Sequence, residues 1–342
     1  MGKTIAVLGA GANGSATAAS LIEAGLDVLL FDPWAAHIEA MRARGLTVEM
    51  PDRTQTVRPQ AFHLSDVNAL NRRLDVVLLA TKSYDTRWAA EFIKPYLASD
   101  GLLVGLQNAM TAETIAEIVG VERTLGVVVE LSSELFTPGR VQRNTSPDRT
   151  WFGVGAFHPS QRERIAEVAA LLAHVGRVSL SDNILAAKWM KLVVNTMCLG
   201  PMAMLGLPLA EASRLPGVRE LTLRIGAEAL AVGQRLGHPV KPVFGLKPED
   251  IAGSNRLLEL MFDKLAHDVG PRARDCVLQD HLKGRYSEVD DINGLVVIEG
   301  DVMGIPSPAN AAIVEVTRRI RAGEVKPDPA NLSLAVDLAD AT

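Results

Sequence analysis

The sequence predicts an α/β protein in two parts, a parallel doubly wound sheet followed by an all-α domain. Three observations predict it. Short apolar runs alternate with helix-length stretches through the first half, a glycine-rich turn separates the first run from the first helix, and beyond residue 182 only long helical patterns remain. With 342 residues the chain has room for two domains.

Each element can be justified in turn. Thr4–Leu8 reads as a strand, Gly9–Gly14 as a tight turn, and Ser15–Glu23 as a small-residue helix stopped by Gly25. Asp27–Phe31 (DVLLF) is a second buried strand, and Ala35–Arg44 a helix ended by Gly45. The β-α-β unit is thereby complete. Further strands are expected at Asp75–Ala80, Leu102–Leu106 and Thr124–Glu130, with helices at Thr86–Leu97 and Thr111–Val119, an alternation that implies one parallel sheet. Between Gly139 and Gly155 the pattern changes to short strands punctuated by Gly, Pro and Thr; a helix at Pro159–His174 and a strand at Arg177–Leu180 follow. The boundary falls near Asp182, giving a dinucleotide-binding domain at 1–182 and a helical substrate and catalytic domain at 183–342. The second domain carries helical patterns at Ile184–Met197, Val218–Leu236, Ser254–His267, Asn293–Met303 and Ala309–Ile320. Lys326–Thr342, with two prolines and few apolar anchors, reads as a loosely held tail.

Composition excludes several classes. Hydrophobic residues make up 48% and charged residues 22%, the balance of a packed, water-soluble chain. The net charge is −5 and no Lys/Arg-rich run is present, so neither nucleic acid nor an anionic membrane has an electrostatic footprint to bind. Cys198 and Cys276 stand alone without zinc spacing, which argues against a metal or a disulfide framework and fits a reducing, cytoplasmic setting. The first residues superficially resemble a signal peptide, but glycine at 9, 11 and 14 breaks the apolar run, and Ala6 stands where a myristoylation signal needs Ser or Thr. Leu192–Ala210 is uncharged, yet Asn195, Gly200-Pro201 and Pro208 make it a buried helix with an exit loop rather than a membrane span.

Two segments carry chemistry. Gly9-Ala10-Gly11-Ala12-Asn13-Gly14 is a G-x-G-x-x-G between a strand and a helix, the context in which it binds a dinucleotide. Gly9 makes the turn, Gly11 admits the pyrophosphate, Gly14 lets helix and strand pack closely, and the helix N-terminus supplies partial positive charge. Asn13 belongs to the same loop. Asp32 follows the second strand, 21 residues beyond Gly11, where a carboxylate bonds the ribose hydroxyls of NAD and repels the 2′-phosphate of NADP. The competing reading is an Asp that caps the next helix. In Lys188-Trp189-Met190-Lys191-Leu192-Val193-Val194-Asn195, the three polar residues Lys188, Lys191 and Asn195 share one helix face. Lys188 by itself reads as solvated, whereas the apolar surroundings of Lys191 and Asn195 suit a cleft in which an ammonium bonds a substrate carbonyl and releases a proton to it.

Taken together these motifs resemble the ketopantoate reductase family. The resemblance is carried by GAGANG, Ala80-Thr81-Lys82, Leu106-Gln107-Asn108, Trp189–Asn195, Leu278-Gln279-Asp280 and Gly284–Gly294, in family order over nearly the whole chain. It implies a 6-phosphogluconate-dehydrogenase-like fold with a Rossmann-type first domain, the cofactor at the carboxyl ends of the sheet and the substrate in the interdomain cleft. It implies Lys191 as general acid, Asn195 as substrate-orienting, Glu288 as support for the lysine and the cofactor ribose, and Lys82 and Asn108 as lining the cofactor site. The chain also departs from the family pattern. Asp32-Pro33-Trp34 replaces an arginine-type group for the NADP phosphate, Leu199 stands where a second asparagine is expected, and Asp275 and Cys276 replace a serine pair that bonds the substrate carboxylate. Arg272 or Arg274 could compensate the charge of Asp275, and Ala109 replaces a glycine of the third motif. The expectation is an oxidoreductase that prefers NAD(H) over NADP(H) and acts on a small keto or hydroxy substrate, with Asn195, Asp275 and Cys276 on the substrate side and a homodimer left open. Ketopantoate reduction and oxidation of a different hydroxy compound both fit; a non-catalytic NAD-binding protein is the reading from another class.

Overall fold

The computed structural model describes residues 2–243, 246, 249, 256–268, 270 and 272–341. They form two compact units, Met1–Leu185 and Ala186–Thr342. The first begins with β1 (Ile5–Leu8), α1 (Ala12–Glu23), β2 (Val28–Asp32) and α2 (Ala35–Arg44). Three short strands follow, β3 (Leu46–Glu49), β4 (Thr54–Val57) and β5 (Gln60–His63). Next come β6 (Leu74–Leu79), α3 (Thr86–Ile93), β7 (Leu97–Gly105) and α4 (Ala112–Val119). The unit closes with β8 (Gly126–Glu130), β9 (Ser133–Thr137), β10 (Arg140–Arg143), β11 (Trp151–Gly155), α5 (Ile165–Leu172) and β12 (Arg177–Leu180).

The principal sheet is parallel and ordered β5-β2-β1-β6-β7. Alternate residues of each strand go to opposite faces. Val7, Leu30, Leu78 and Val104 pack with Ala16 and Ala19 of α1 and with Ile38 and Met41 of α2. Leu8, Phe31, Leu79 and Leu103 pack with Ala89 and Ile93 of α3 and Ile115 of α4. Each such aliphatic side chain, buried on both sides of the sheet, contributes about 1.5–3 kcal/mol. The chain winds outward from β1 through β2 and then resumes at β6 on the other side, so the strand order reverses between β1 and β6. The loops after β1, β2, β6 and β7 all leave the carboxyl edge of the sheet around this switch point, where such sheets bind ligands.

Several expectations are corrected here. The sequence reading extends the parallel sheet to Thr124–Glu130, but β8 pairs antiparallel with β11 in a separate sheet ordered β12-β11-β8. Its buried run GVVVE is compatible with either pairing, and only the partner strand decides. β3, β4 and β5 occupy a stretch with no expected element; β3 and β4 join β10 and β9 in a third sheet, ordered β4-β3-β10-β9. The helix expected over Pro159–His174 opens as a 3-10 turn, Pro159–Arg164, before α5.

The second unit is helical: α6 (Ile184–Cys198, starting just before it), α7 (Gly200–Leu205), α8 (Leu209–Ala212) and α9 (Val218–Arg235), then helices at Leu257–Asp268, Cys276–Leu282, Val289–Met303, Pro308–Arg321 and Asn331–Asp340. The start expected at Ser254 lies outside the described residues. The expected exit loop after α6 is instead α7, because Pro201 sits in a first helical turn, where its missing N–H costs nothing. The expected loose tail from Lys326 is, through Ala341, an anchored segment. Asn331, Ala335 and Ala339 recur every four residues on a buried face of the last helix. Asn331 Nδ2 donates to the carbonyls of Met204 (2.9 Å) and Lys326 (2.8 Å), and Arg224 pairs with Asp340. Small and polar anchors of this kind escape a search for large apolar residues. Among the described residues no helix is long and apolar enough to cross a membrane.

Candidate functional site

The glycine-rich loop owes its form to contacts with the strands beside it. Gly9 has φ +99°, and a Cβ there would lie 2.7 Å from the Thr81 nitrogen; its own N–H donates to Phe31 O at 2.8 Å. A Cβ on Gly14 would stand 2.0 Å from Gly9 O, so α1 can approach β1 only with glycine at this position. Gly11 differs. It is the N-cap of α1 in an ordinary conformation, φ −64° and ψ −167°, and a Cβ would meet nothing within 4 Å. The protein itself gives no reason for glycine at Gly11, whereas a ligand lying against the main chain does. Asn13 Oδ1, in the first turn of α1, is buried with no hydrogen-bond partner among the described residues. The loop therefore fits a dinucleotide pyrophosphate, because an uncapped helix N-terminus and an open glycine lie together. The unmet Asn13 Oδ1 is an acceptor and suits a hydroxyl donor rather than a phosphate oxygen.

Asp32 ends β2 at the same edge of the sheet and is only 9% exposed. Its Oδ1 accepts the Trp34 N–H at 2.7 Å, which fixes the carboxylate ahead of α2. His63, opposite Asp32 on β5, is engaged with Glu39 at 2.8 Å, and Arg42 is held by Asp66 at 2.7 Å. Lys82 follows β6 at the mouth of a 3-10 turn (Ser83–Asp85), and Asn108 follows β7; both are partly buried. Sequence reasoning assigned no role to Gln107. Its Nε2 lies 3.0 Å from Thr81 O, 3.2 Å from Lys82 O and 3.0 Å from Thr86 Oγ1, so it ties the loop after β7 to the loop after β6. Gln107 Oε1 and Thr111 Oγ1 are, like Asn13 Oδ1, buried and unmet. The only signal for Gln107 was its place beside Asn108. Ala109 has φ +60°, the one non-glycine residue in the left-handed region among the described residues, which gives the physical reason for a glycine there.

In the second unit, Lys191 lies partly buried on α6 and Asn195, one turn on, is 2% exposed. Lys188 is 4% exposed, which overturns its reading as a solvated lysine; burial pushes its ammonium down to about 8. A polar side chain on this helix is enclosed by neighbours that its own sequence does not show. Glu288 is the N-cap residue of the helix Val289–Met303 and 3% exposed, and Cys276 Sγ lies 3.7 Å from its Oε2. Asp275 caps Cys276–Leu282: its Oδ1 accepts Val277 N–H at 2.8 Å and Leu278 N–H at 2.9 Å. Cys276 and Glu288, 12 residues apart, are thus brought together, and Asp275 serves the helix dipole. Of the two arginines near it, Arg272 is exposed and Arg274 partly buried.

Two family models match the chain: Ketopantoate reductase PanE/ApbA over residues 5–156 and Ketopantoate reductase PanE/ApbA C terminal over residues 183–321. The chain is 27% identical to a 2-dehydropantoate 2-reductase of Mesorhizobium japonicum, over 92% of this chain and 97% of that protein. A PanE/ApbA family ketopantoate reductase from Ralstonia eutropha JMP134 is similar in structure, with TM-score 0.78 and 29% identity over 94% of this chain and 99% of that one. A D-mandelate dehydrogenase in a ternary structure with NADH and anilino(oxo)acetate gives TM-score 0.81 at 23% identity, over 94% and 99% of the two chains, a likeness of fold.

Proposed function

The chain belongs to the ketopantoate reductase family, oxidoreductases acting on CH–OH groups, and on that premise we propose that it prefers NAD(H) and interconverts a keto compound and its alcohol. The observation that carries the reading is Gly11, a glycine that no protein contact requires, at a helix N-terminus on the same edge of the sheet as Asp32. A bound nicotinamide supplies or accepts the hydride. The chain's own residues do the rest. The amides at the start of α1 hold the pyrophosphate, and Asp32 accepts from the ribose hydroxyls. A 2′-phosphate would meet the Asp32 charge without a counter-ion in Pro33 or Trp34, while His63 and Arg42 are already paired. Lys191 gives a proton to the oxygen of the carbonyl as it becomes an alkoxide, and takes it back in the reverse direction. Asn195 orients the substrate, and Glu288 supports Lys191.

The test is steady-state kinetics with both cofactors. NADH is expected to give the higher kcat/KM by ~10-fold or more, the worth of one or two charged contacts, and Asp32→Ala to narrow the gap. Equal or better efficiency with NADPH overturns the assignment.

A second reading concerns the substrate. Where the resemblance expects a serine pair for the substrate carboxylate, the Cys276 thiol lies against Glu288 and the Asp275 carboxylate is bonded to Val277 and Leu278 N–H. Leu199 offers no hydrogen bond from its side chain. These observations favour a neutral or apolar-bodied ketone or its alcohol over ketopantoate. A kcat/KM for ketopantoate above ~10⁴ M⁻¹s⁻¹, the ordinary enzyme range, would decide for the family substrate.

A further inference from the structure

A buried histidine outside the proposed machinery is wired to the glycine-rich loop. His37 lies in α2, completely enclosed, with the ring of Trp34 stacked on it at 5.5 Å. Its Nδ1 lies 2.9 Å from the backbone nitrogen of Gly139, in the turn between β9 and β10. A backbone N–H can only donate, so Nδ1 must be the bare, accepting nitrogen and the ring proton sits on Nε2. Nε2 lies 3.1 Å from Ser15 Oγ, which therefore accepts from it and spends its own proton on the Ala10 carbonyl at 2.8 Å. All three hydrogen bonds run one way, from Gly139 N–H to His37, to Ser15, to Ala10 O. Burial, opposed only in part by the Ala10 carbonyl, lowers the His37 pKa to about 4, which keeps the ring neutral as this direction requires.

The last acceptor gives the relay its meaning. Ala10 lies between Gly9 and Gly11, and in a trans peptide the C=O of Ala10 and the N–H of Gly11 point in opposite directions. Gripping the carbonyl from inside the protein turns the Gly11 amide away from Ser15. We infer that His37, through Ser15, is a positioning residue for the dinucleotide: it holds the Ala10–Gly11 peptide in the orientation that presents the Gly11 N–H to a pyrophosphate. The inference rests on the dinucleotide reading of the loop and adds the residues that hold it in shape. Neither His37 nor Ser15 touches the ligand. Each acts on it through the next group in the chain, as supporting hydrogen bonds do behind a binding site.

Conservative variants separate this role from a structural one. In His37→Gln the amide nitrogen can replace Nε2 as donor to Ser15 while the bond from Gly139 is lost. In His37→Asn the amide oxygen can replace Nδ1 as acceptor from Gly139 while the donor to Ser15 is lost. NADH affinity is read on the full-length protein by nicotinamide fluorescence titration, with the thermal melt recorded alongside. The expected result is that His37→Asn and Ser15→Ala each raise the Kd for NADH by ~10-fold, the loss of about one hydrogen bond, whereas His37→Gln stays within ~3-fold of the parent. If His37→Asn does not fold, Ser15→Ala, which removes one hydroxyl and keeps a good helix former, decides alone. Parent-like Kd values for Ser15→Ala and His37→Asn overturn the inference, and so does loss of affinity in His37→Gln with retention in His37→Asn, which would assign the histidine to the Gly139 turn alone. Failure of the parent protein to bind either NADH or NADPH brings down the dinucleotide reading as well, and is distinct from both.

Discussion

Between residues 9 and 14 side chains are missing so that main-chain groups can be presented, whereas between residues 188 and 195 long polar side chains are set among apolar ones. In the loop the steric limits are set by main chain close at hand: Gly9 against Thr81, Gly14 against Gly9. On α6 Lys188 and Asn195 are buried and Lys191 is partly buried, and even the exposure of a lysine is not settled by its neighbours in the chain. A backbone-built site is thus intolerant of added atoms. A side-chain-built one depends on what encloses it.

The largest expected effect tests the first half of that contrast. Gly14→Ala places a Cβ 2.0 Å from a carbonyl oxygen, and the melt should show a loss on the order of 3 kcal/mol or more. Gly11→Ala, where the new methyl meets nothing within 4 Å, should melt within about 2 °C of the parent yet raise the Kd for NADH by ~10-fold or more. Parent-like NADH binding by Gly11→Ala would break the comparison, because the open glycine would then serve no ligand.

Acid should discriminate next. His37 has a pKa of about 4 in the folded protein against 6.5 for an ordinary histidine, so the unfolded chain binds the extra proton first. Stability is then full above pH 6.5 and falls as the pH drops from 6.5 to 4, by about 3 kcal/mol from this residue. Urea titrations across that range should show the slope, and His37→Gln should flatten it. Lys188 has the same sign at higher pH: with its pKa lowered from 10.5 to about 8, stability rises as the pH climbs through that window.

On the side-chain half, Lys191→Ala should lower kcat by ~100-fold or more while the Kd for NADH changes little. Lys188→Ala should chiefly lower the melting temperature, because it empties a buried stem. A variant at Lys191 that is folded and fully active would remove the proposed general acid. The smallest effect is a gain: Ala109→Gly relieves the left-handed backbone at φ +60° and should stabilise by about 0.5–1 kcal/mol after the entropy cost of glycine.

Much of the loop's half of the candidate site was legible in the sequence. Strand, turn and helix stand in the order that G-x-G-x-x-G needs, and Asp32 ends the next strand. The helical half was legible as a stripe on α6 but not as an environment: Lys188 reads as solvated and is buried. Gln107 and His37 were not legible as functional residues, because their partners, Thr81 and Gly139, lie 26 and 102 residues away. The last helix was missed because alanines and an asparagine, rather than large apolar residues, face the core.

The sequence by itself determined what depends on local sterics and on periodicity: the glycine turn, the alternation that builds a parallel sheet, the helical second half and the acid after β2. Each follows from allowed backbone angles, or from burying one face of an element. Tertiary structure alone decided that β8 turns antiparallel onto β11, that Asp275 caps a helix, that Cys276 meets Glu288, and that one buried histidine joins the Gly139 turn to Ser15 behind the glycine-rich loop. Those outcomes depend on which hydrogen-bonding groups arrive from distant parts of the chain, and burial forces such groups to find one another once water is gone.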